Sequence, residues 1–197
     1  FYILDFSSRN LRLFGKLPHC GAVVADENEE SIMQIFTLIR DIVEERRRLF
    51  AAADVSSYDA YLEVAELPLI LLVIDNVARI EEMRARNDLY SMLEDFMSNG
   101  VGYGIKVIIT LSQINNCPMR LRRNAGNKIA LRARDRYVYS DILDCRCTYE
   151  PADTPGRGMC VIENGCYEFQ TALAVNLSSE KDRSNAIRQE LITIAQK

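Results

Sequence analysis

No G-x-x-x-x-G-K-[ST] occurs in the 197 residues, so nothing in the chain is built to cradle the β- and γ-phosphates of a nucleotide. No apolar run approaches the roughly 20 residues that span a bilayer, and no signal peptide is expected. A link to a membrane would have to come from parts not present here. His19 is the only histidine. The six cysteines include no C-x-x-C, and Cys145-x-Cys147 is too tight for the usual zinc knuckle, so a structural zinc site is not expected. Positive charge is not in excess. The 24 Lys and Arg face 28 Asp and Glu, a net charge of −4, which gives no global attraction for nucleic acid. There is no internal repeat and no low-complexity tract. An initial methionine is also missing: Phe1 opens directly into the apolar run Phe1-Tyr2-Ile3-Leu4. The chain is therefore expected to be a piece of a larger polypeptide, cut inside a domain.

What is present is an ordinary globular composition, 48% hydrophobic and 26% charged, of a length that fits one domain or most of one. Cys160 and Cys166 flank Asn164-Gly165, a strong two-residue hairpin signal. That turn predicts Glu163 opposite Cys166 and Cys160 opposite Phe169, so the two thiols would not face each other. All six cysteines read as reduced, in a cytosolic protein.

The run Leu69-Ile70-Leu71-Leu72-Val73-Ile74-Asp75-Asn76 is the strongest local signal. Six apolar residues in a row suit a strand buried on both faces of a parallel sheet. An acid directly after such a strand sits at the carboxyl edge, where open α/β sheets place ligands. In P-loop ATPases this is the Walker B position, whose aspartate helps hold the magnesium of Mg-ATP. The next residue is Asn76, where many such proteins carry a glutamate that polarises water; an amide cannot take a proton. The alternative is a central strand closed by an ordinary loop aspartate.

Elsewhere, Phe1 to Phe6 reads as a strand ending at Asp5, and residues 7–18 as a loop or short irregular segment. Val23-Val24 is a short apolar piece before the acidic cap Asp26-Glu27. Ile32, Ile35, Phe36, Ile39, Val43 and Phe50 recur at helical spacing. Glu44 to Arg48 reads as that helix's solvated face. Residues 55–66 hold a short helix. Leu89, Met92, Leu93, Phe96 and Met97 stripe the next helix, which Gly100, Gly102 and Gly104 end. Ile105 to Leu111 is a second apolar strand. Strand, helix and strand in that order form a right-handed crossover with parallel strands. Lys128 to Leu131 is a strand with arginines on its exposed side, Tyr139 to Leu143 a short helix, and residues 151–158 a loop. Met159–Ile162 and Cys166–Ala172 form the hairpin. Ser178 or Ser179 caps a final helix running to Gln196.

Four stretches together resemble the FtsK/SpoIIIE family, and within it the tandem ATPase domains of the EccC/EssC proteins of type VII secretion. They are Tyr2-Ile3-Leu4-Asp5-Phe6 with Leu17-Pro18-His19-Cys20-Gly21, Leu71 to Asn76, Gly104 to Gln113, and Ala152 to Gly158 with its Pro155-Gly156-Arg157-Gly158. Their order and spacing over most of the chain carry the match. The resemblance implies an α/β, RecA-like P-loop NTPase fold: a mostly parallel sheet flanked by helices, with a C-terminal β-hairpin. Residues 1–197 would be one such ATPase domain whose first strand, Walker A loop and following helix lie upstream of Phe1. It further implies a cytoplasmic domain of a bacterial cell-membrane protein. ATP and magnesium would be bound in the full-length protein rather than in this piece. The implied partners are neighbouring ATPase domains of the same chain, small helical WXG-type substrates, and further copies in a hexamer. Asn76, and Tyr139 where many relatives have an aspartate before Ser140, point to a C-terminal, degenerate domain.

The candidate site follows. Asp75 is the magnesium-side carboxylate, with Asn76 beside it. Ser112 and Gln113 end the neighbouring strand. The Gln113 amide either reports the γ-phosphate and positions water, or caps the next turn. Arg157 either contacts nucleotide or a neighbouring subunit, or is a solvated arginine in a tight turn. Asp5 is expected to fix its loop. The basic residues from Arg120 to Arg136 suit an inter-domain or intersubunit surface, and less well a DNA tract, since no aromatic is interleaved before Tyr137. Three readings therefore compete: a nucleotide-binding module of a secretion motor, a non-catalytic protein-docking or regulatory module on the same fold, and an FtsK-like DNA translocase domain. A docking groove for a substrate tail or the linker of an adjacent domain would use the helix over Ile32–Phe50 or the segment Tyr58–Leu62, unless those residues simply cover the sheet.

Overall fold

The computed structural model describes residues 1–7, 9–25, 28–83, 88–133, 136–163 and 165–196, apart from the side chain of Glu81. The expected acidic cap Asp26-Glu27, Arg134 of the basic stretch and Asn164 of the hairpin turn lie outside the described residues. Two compact units emerge: residues 1–124 with 188–197, and residues 125–187.

The first unit is built on four parallel strands in the order β2-β1-β3-β4. These are β1 (Tyr2–Asp5), β2 (Ala22–Val24), β3 (Ile70–Asp75) and β4 (Ile105–Ile109). β1 and β3 pair in register, Asp5 opposite Asp75. β3 and β4 are directly paired and parallel, as the strand–helix–strand order demands. Between β1 and β2 a 3-10 segment covers Asn10–Lys16. The long helix α1 (Glu29–Ala52) starts at Asn28, whose side chain accepts from the amides of Glu30 and Ser31. That side chain sits at the N-cap itself, within reach of the free amides of the first turn. Helices α2 (Tyr58–Leu62), α3 (Ala78–Met83) and α4 (Leu89–Ser98) follow, then α5 (Met119–Asn124).

One face of this sheet carries Leu4, Leu72, Ile74 and Ile105. They bury together with Ile32, Phe36 and Ile39 of α1 and Leu89, Leu93 and Phe96 of α4. Each such side chain contributes on the order of 1.5–3 kcal/mol by leaving water. The apolar stripe of α1 is therefore consumed by the sheet and leaves no groove on that face. On the other face burial fades from β1 to β4: Ile3 is buried, Val73 half-buried, and Ile108, in register with Val73, is 49% exposed. The expectation of burial on both faces of β3 holds for one face only.

The charge run on α1 hides one exception. Arg46 is 3% exposed. Its Nη1 donates to the carbonyls of Tyr103 (2.6 Å) and Gly104 (3.2 Å), and its Nη2 to that of Pro68 (2.5 Å). Gly104 adopts φ +73°, and a Cβ there would lie 2.3 Å from the Tyr58 ring and 2.7 Å from Arg46 Nη1. Only glycine fits that position. The guanidinium ties the chain entering β3 to the chain entering β4. Burial lowers its pKa, without neutralising a group that stays charged in proteins.

The second unit holds a three-stranded antiparallel sheet, β5 (Ile129–Leu131), β6 (Arg157–Ile162) and β7 (Gly165–Gln170), with α6 (Arg136–Leu143). Ala130, Met159, Tyr139, Leu143 and Cys147 form its core. The hairpin register differs from expectation. Ile162 faces Gly165, Val161 faces Cys166, and Cys160 faces Tyr167 rather than Phe169. The last pair of the ladder, Ile162 with Gly165, closes one step earlier than the Asn164-Gly165 signal suggests. The exposed side of β5 carries Ile129 (65% exposed) and Leu131 (58%), not arginines. The last helix, α7 (Glu180–Ala195), is capped by Ser179, whose Oγ accepts from Asp182 N at 3.4 Å. Leu191 is buried as its pattern predicts, but Ile194 is exposed.

Candidate functional site

Parallel strands β1 and β3 end together on two aspartates with different fates. Asp5 is fully buried. Its Oδ1 accepts from the amides of Ser7 (3.3 Å) and Arg9 (3.0 Å), and its Oδ2 from that of Leu11 (2.9 Å). Three amide donors consume this carboxylate, which fixes the loop after β1.

Asp75 is half-buried, and one oxygen is engaged. Thr110 Oγ1 donates to Oδ1 at 2.5 Å, and the same hydroxyl accepts from the backbone N–H of Asn76 at 3.0 Å. The backbone here is fixed as well. Phe6 N donates to Asp75 O (3.1 Å), Thr110 N to Ile74 O (3.0 Å), and Val77 N to Thr110 O (2.9 Å). No described residue donates to Asp75 Oδ2, so one lone-pair face of the carboxylate stays open. Asn76 sits at φ 67°. Asparagine tolerates this left-handed region better than glutamate does, which gives the residue a backbone reason to be there as well as a chemical consequence.

Ser112 and Gln113 lie just beyond β4, both exposed. Gln113 is the N-cap of the 3-10 segment Ile114–Asn116, yet its side chain makes no cap bond; its backbone carbonyl accepts from Asn116 N at 3.1 Å. The turn is closed without the amide, which leaves the amide available. Sequence reading named these two residues and passed over Thr110. The register Ile74 opposite Ile109 continues into Asp75 beside Thr110, and that pairing is the signal that points to it.

Arg157 belongs to the second unit. It is half-buried, and its Nη1 pairs with Glu168 Oε1 at 3.2 Å. The same oxygen accepts from Ala152 N at 3.0 Å, so the pair fastens residues 152–157 to β7. Gly158 next to it has no room for a side chain: a Cβ would lie 2.5 Å from Ala130 O and 2.8 Å from the Phe169 ring.

Among the described residues no group of three His, Cys, Asp or Glu side chains could hold a metal. A lone carboxylate with an open oxygen suits magnesium carried by phosphates and water, the usual state of that ion. The residues present fit that share of a Mg-nucleotide site and supply no phosphate cradle. Open clefts are found among the described residues. One of about 550 Å³ is lined by Arg12, Gly15, Val23, Val24, Ala25, Asn28 and Ser31. The other, about 350 Å³, lies between α4 and α5 and is lined by Glu94, Asp95, Ser98, Arg120, Arg123 and Asn124. Neither includes Asp75.

The basic stretch is divided between the units. In the first, Arg120 lies 3.5 Å from Glu94. In the second, Lys128 pairs with Asp144, Arg132 pairs with Asp153, and Arg136 stacks on Tyr137 at 5.1 Å. No described helix is long and apolar enough to cross a membrane.

Comparison with known proteins places this geometry. EccC, an ESX secretion system protein of Thermomonospora curvata, is 28% identical over 88% of the chain, which spans 13% of that relative. The solved ATPases 2 and 3 of EssC from Geobacillus thermodenitrificans superpose with a TM-score of 0.89 at 22% identity, over 99% of this chain and 37% of that one. The ATPases 2 and 3 of Thermomonospora curvata EccC, solved in complex with a signal sequence peptide, give a TM-score of 0.79 at 21% identity, over 100% of this chain and 36% of that one. The fold is that of a P-loop ATPase domain. Residues 1–151 match the model of the FtsK/SpoIIIE family, and the chain belongs to that family.

Proposed function

We propose that the chain is a nucleotide-binding, ATPase-like domain of a type VII secretion motor, with its ATP chemistry weakened and its phosphate loop supplied by polypeptide outside these residues. The carrying observation is Asp75, held by Thr110 through one oxygen and open at the other, at the carboxyl end of a parallel sheet. Bound Mg-ATP would supply the electrophilic phosphoryl group. Asp75 would orient the metal's waters, and Ser112 and Gln113 would lie toward the terminal phosphate. Asn76 has an amide where general-base chemistry needs a carboxylate. The edge of β4 that no described strand pairs, with its open face, is where a strand carrying the phosphate loop would pack. Arg157, locked to Glu168, serves the hairpin and reaches a neighbouring subunit only if that pair opens.

The test is Asn76→Glu in a polypeptide that joins this chain to its phosphate loop. If the missing acid limits hydrolysis, turnover rises at least tenfold, about 1.4 kcal/mol off the barrier. No rise means that Asn76 is not the limiting element.

The signal sequence peptide bound to the EccC relative favours a second reading, docking of the tails of small helical WXG-type secreted proteins. It stands beside neighbouring ATPase domains, and a hexamer of the whole motor in the bacterial cytoplasm, as the proposed setting. Isothermal titration with such tails checks it. Binding tighter than about 1 mM, roughly 4 kcal/mol, supports docking, and anything weaker removes it.

A further inference from the structure

Four of the six thiols, Cys145, Cys147, Cys160 and Cys166, lie in the second unit, and the proposed nucleotide chemistry uses none of them. Cys147 Sγ lies 2.7 Å from Cys166 Sγ, across 19 positions of sequence. Cys147 is buried in the core of the unit and Cys166 is half-buried on β7. Both backbones are anchored where they stand. Cys147 N donates to Ser140 Oγ at 3.2 Å, and Tyr149 Oη donates to the carbonyl of Cys166 itself at 3.3 Å. Residues 147–149 are thus already docked on Cys166. The sulfurs need to close by less than about 1 Å to reach the ~2.05 Å of a formed bond. Cys160 is not a competitor by pairing. It faces Tyr167 while Cys166 faces Val161, so the two point to opposite sides of the hairpin. Cys20 and Cys117 belong to the first unit.

We propose that Cys147 and Cys166 form a reversible disulfide when a two-electron oxidant such as a hydroperoxide is present, fastening residues 144–149 to β7. In the first step one thiolate attacks the peroxide oxygen. The O–O bond breaks, and a sulfenic acid forms with loss of water from hydrogen peroxide. In the second step the partner sulfur displaces the sulfenic oxygen as a second water, and the S–S bond forms. Two thiols lose two protons and two electrons, and one hydrogen peroxide becomes two waters. The Cys166 thiol is pushed up to about 12, by burial first and then by the neighbouring thiols of Cys147 and Cys145. It therefore stays protonated at neutral pH. The pair is a slow sensor that closes faster as pH rises.

The test is disulfide mapping on the whole chain. The protein is reduced, treated with hydrogen peroxide, denatured, blocked with N-ethylmaleimide and digested with trypsin without reductant. The expected product is peptide 147–157 linked to peptide 158–181, abolished by dithiothreitol, with Cys20 and Cys117 fully blocked. Because peptide 158–181 contains both Cys160 and Cys166, the link must survive Cys160→Ser, disappear in Cys166→Ser, and fragment at Cys166 in the unmodified protein. A link that follows Cys160, a Cys145 link in place of the Cys147 one, a dimer joined between chains, or full blocking of Cys147 after oxidation would each overturn the proposal.

Discussion

The Thr110 hydroxyl stands between Asp75 and Asn76, donating to Asp75 Oδ1 at 2.5 Å and accepting from the Asn76 amide at 3.0 Å. One side chain just past the end of β4 thereby sets both the orientation of the Asp75 carboxylate and the left-handed turn that follows it.

Thr110→Val keeps the shape and removes both bonds. The expected cost is about 1–3 kcal/mol, because the Asn76 amide and one carboxylate oxygen lose their partner. Thr110→Ser keeps the hydroxyl and should stay within about 0.5 kcal/mol of the parent. Denaturant midpoints at constant slope read both. A loss in Thr110→Val no larger than that in Thr110→Ser would mean that the two hydroxyl bonds do not carry the cost.

Arg46 carries a larger share of the fold. Arg46→Met leaves three carbonyls short of their charged donor, and urea unfolding should show a loss of about 3 kcal/mol or more. Arg46→Lys should recover little of it, since an ammonium cannot span the Tyr103, Gly104 and Pro68 carbonyls as the forked guanidinium does. Full recovery by lysine would show that charge alone is required.

Much of this architecture could be read before any coordinates. The apolar runs of β3 and β4, the stripe of α1 and the glycines after α4 each follow a local period or a local steric rule. Arg46 could not be read that way. Its neighbours Glu44, Glu45, Arg47 and Arg48 are solvated, and only the return of the chain at Pro68 and Gly104 gives it partners to be buried with. The hairpin slipped by one residue for a similar reason. Turn chemistry around Asn164-Gly165 competes with the fit of Gly158 between Ala130 O and the Phe169 ring, and the long-range fit decides the register. At the site, Asp75 was visible as an acid after a buried strand, whereas Thr110 becomes visible only once β3 and β4 are placed in register.

The raised pKa of Cys166 also shapes stability. Its folded value, about 12, lies above the ordinary 9.0, so the folded state holds a proton that the unfolded chain releases first. The stabilisation is complete below pH 9 and is lost as pH climbs from there toward 12. Melting of the reduced protein should therefore fall more steeply with pH above 9 than melting of Cys166→Ser. Parallel curves would contradict the assignment.

The central proposal is that Asp75 serves as the Walker B aspartate of a P-loop ATPase fold whose parts for turnover do not all lie within these residues. Steady-state phosphate release by the purified chain at saturating Mg-ATP tests it most directly. The account predicts release well below about 1 s⁻¹, the low end of ordinary enzymes, with no change in Asp75→Ala. Release above that rate, abolished by Asp75→Ala, would contradict it.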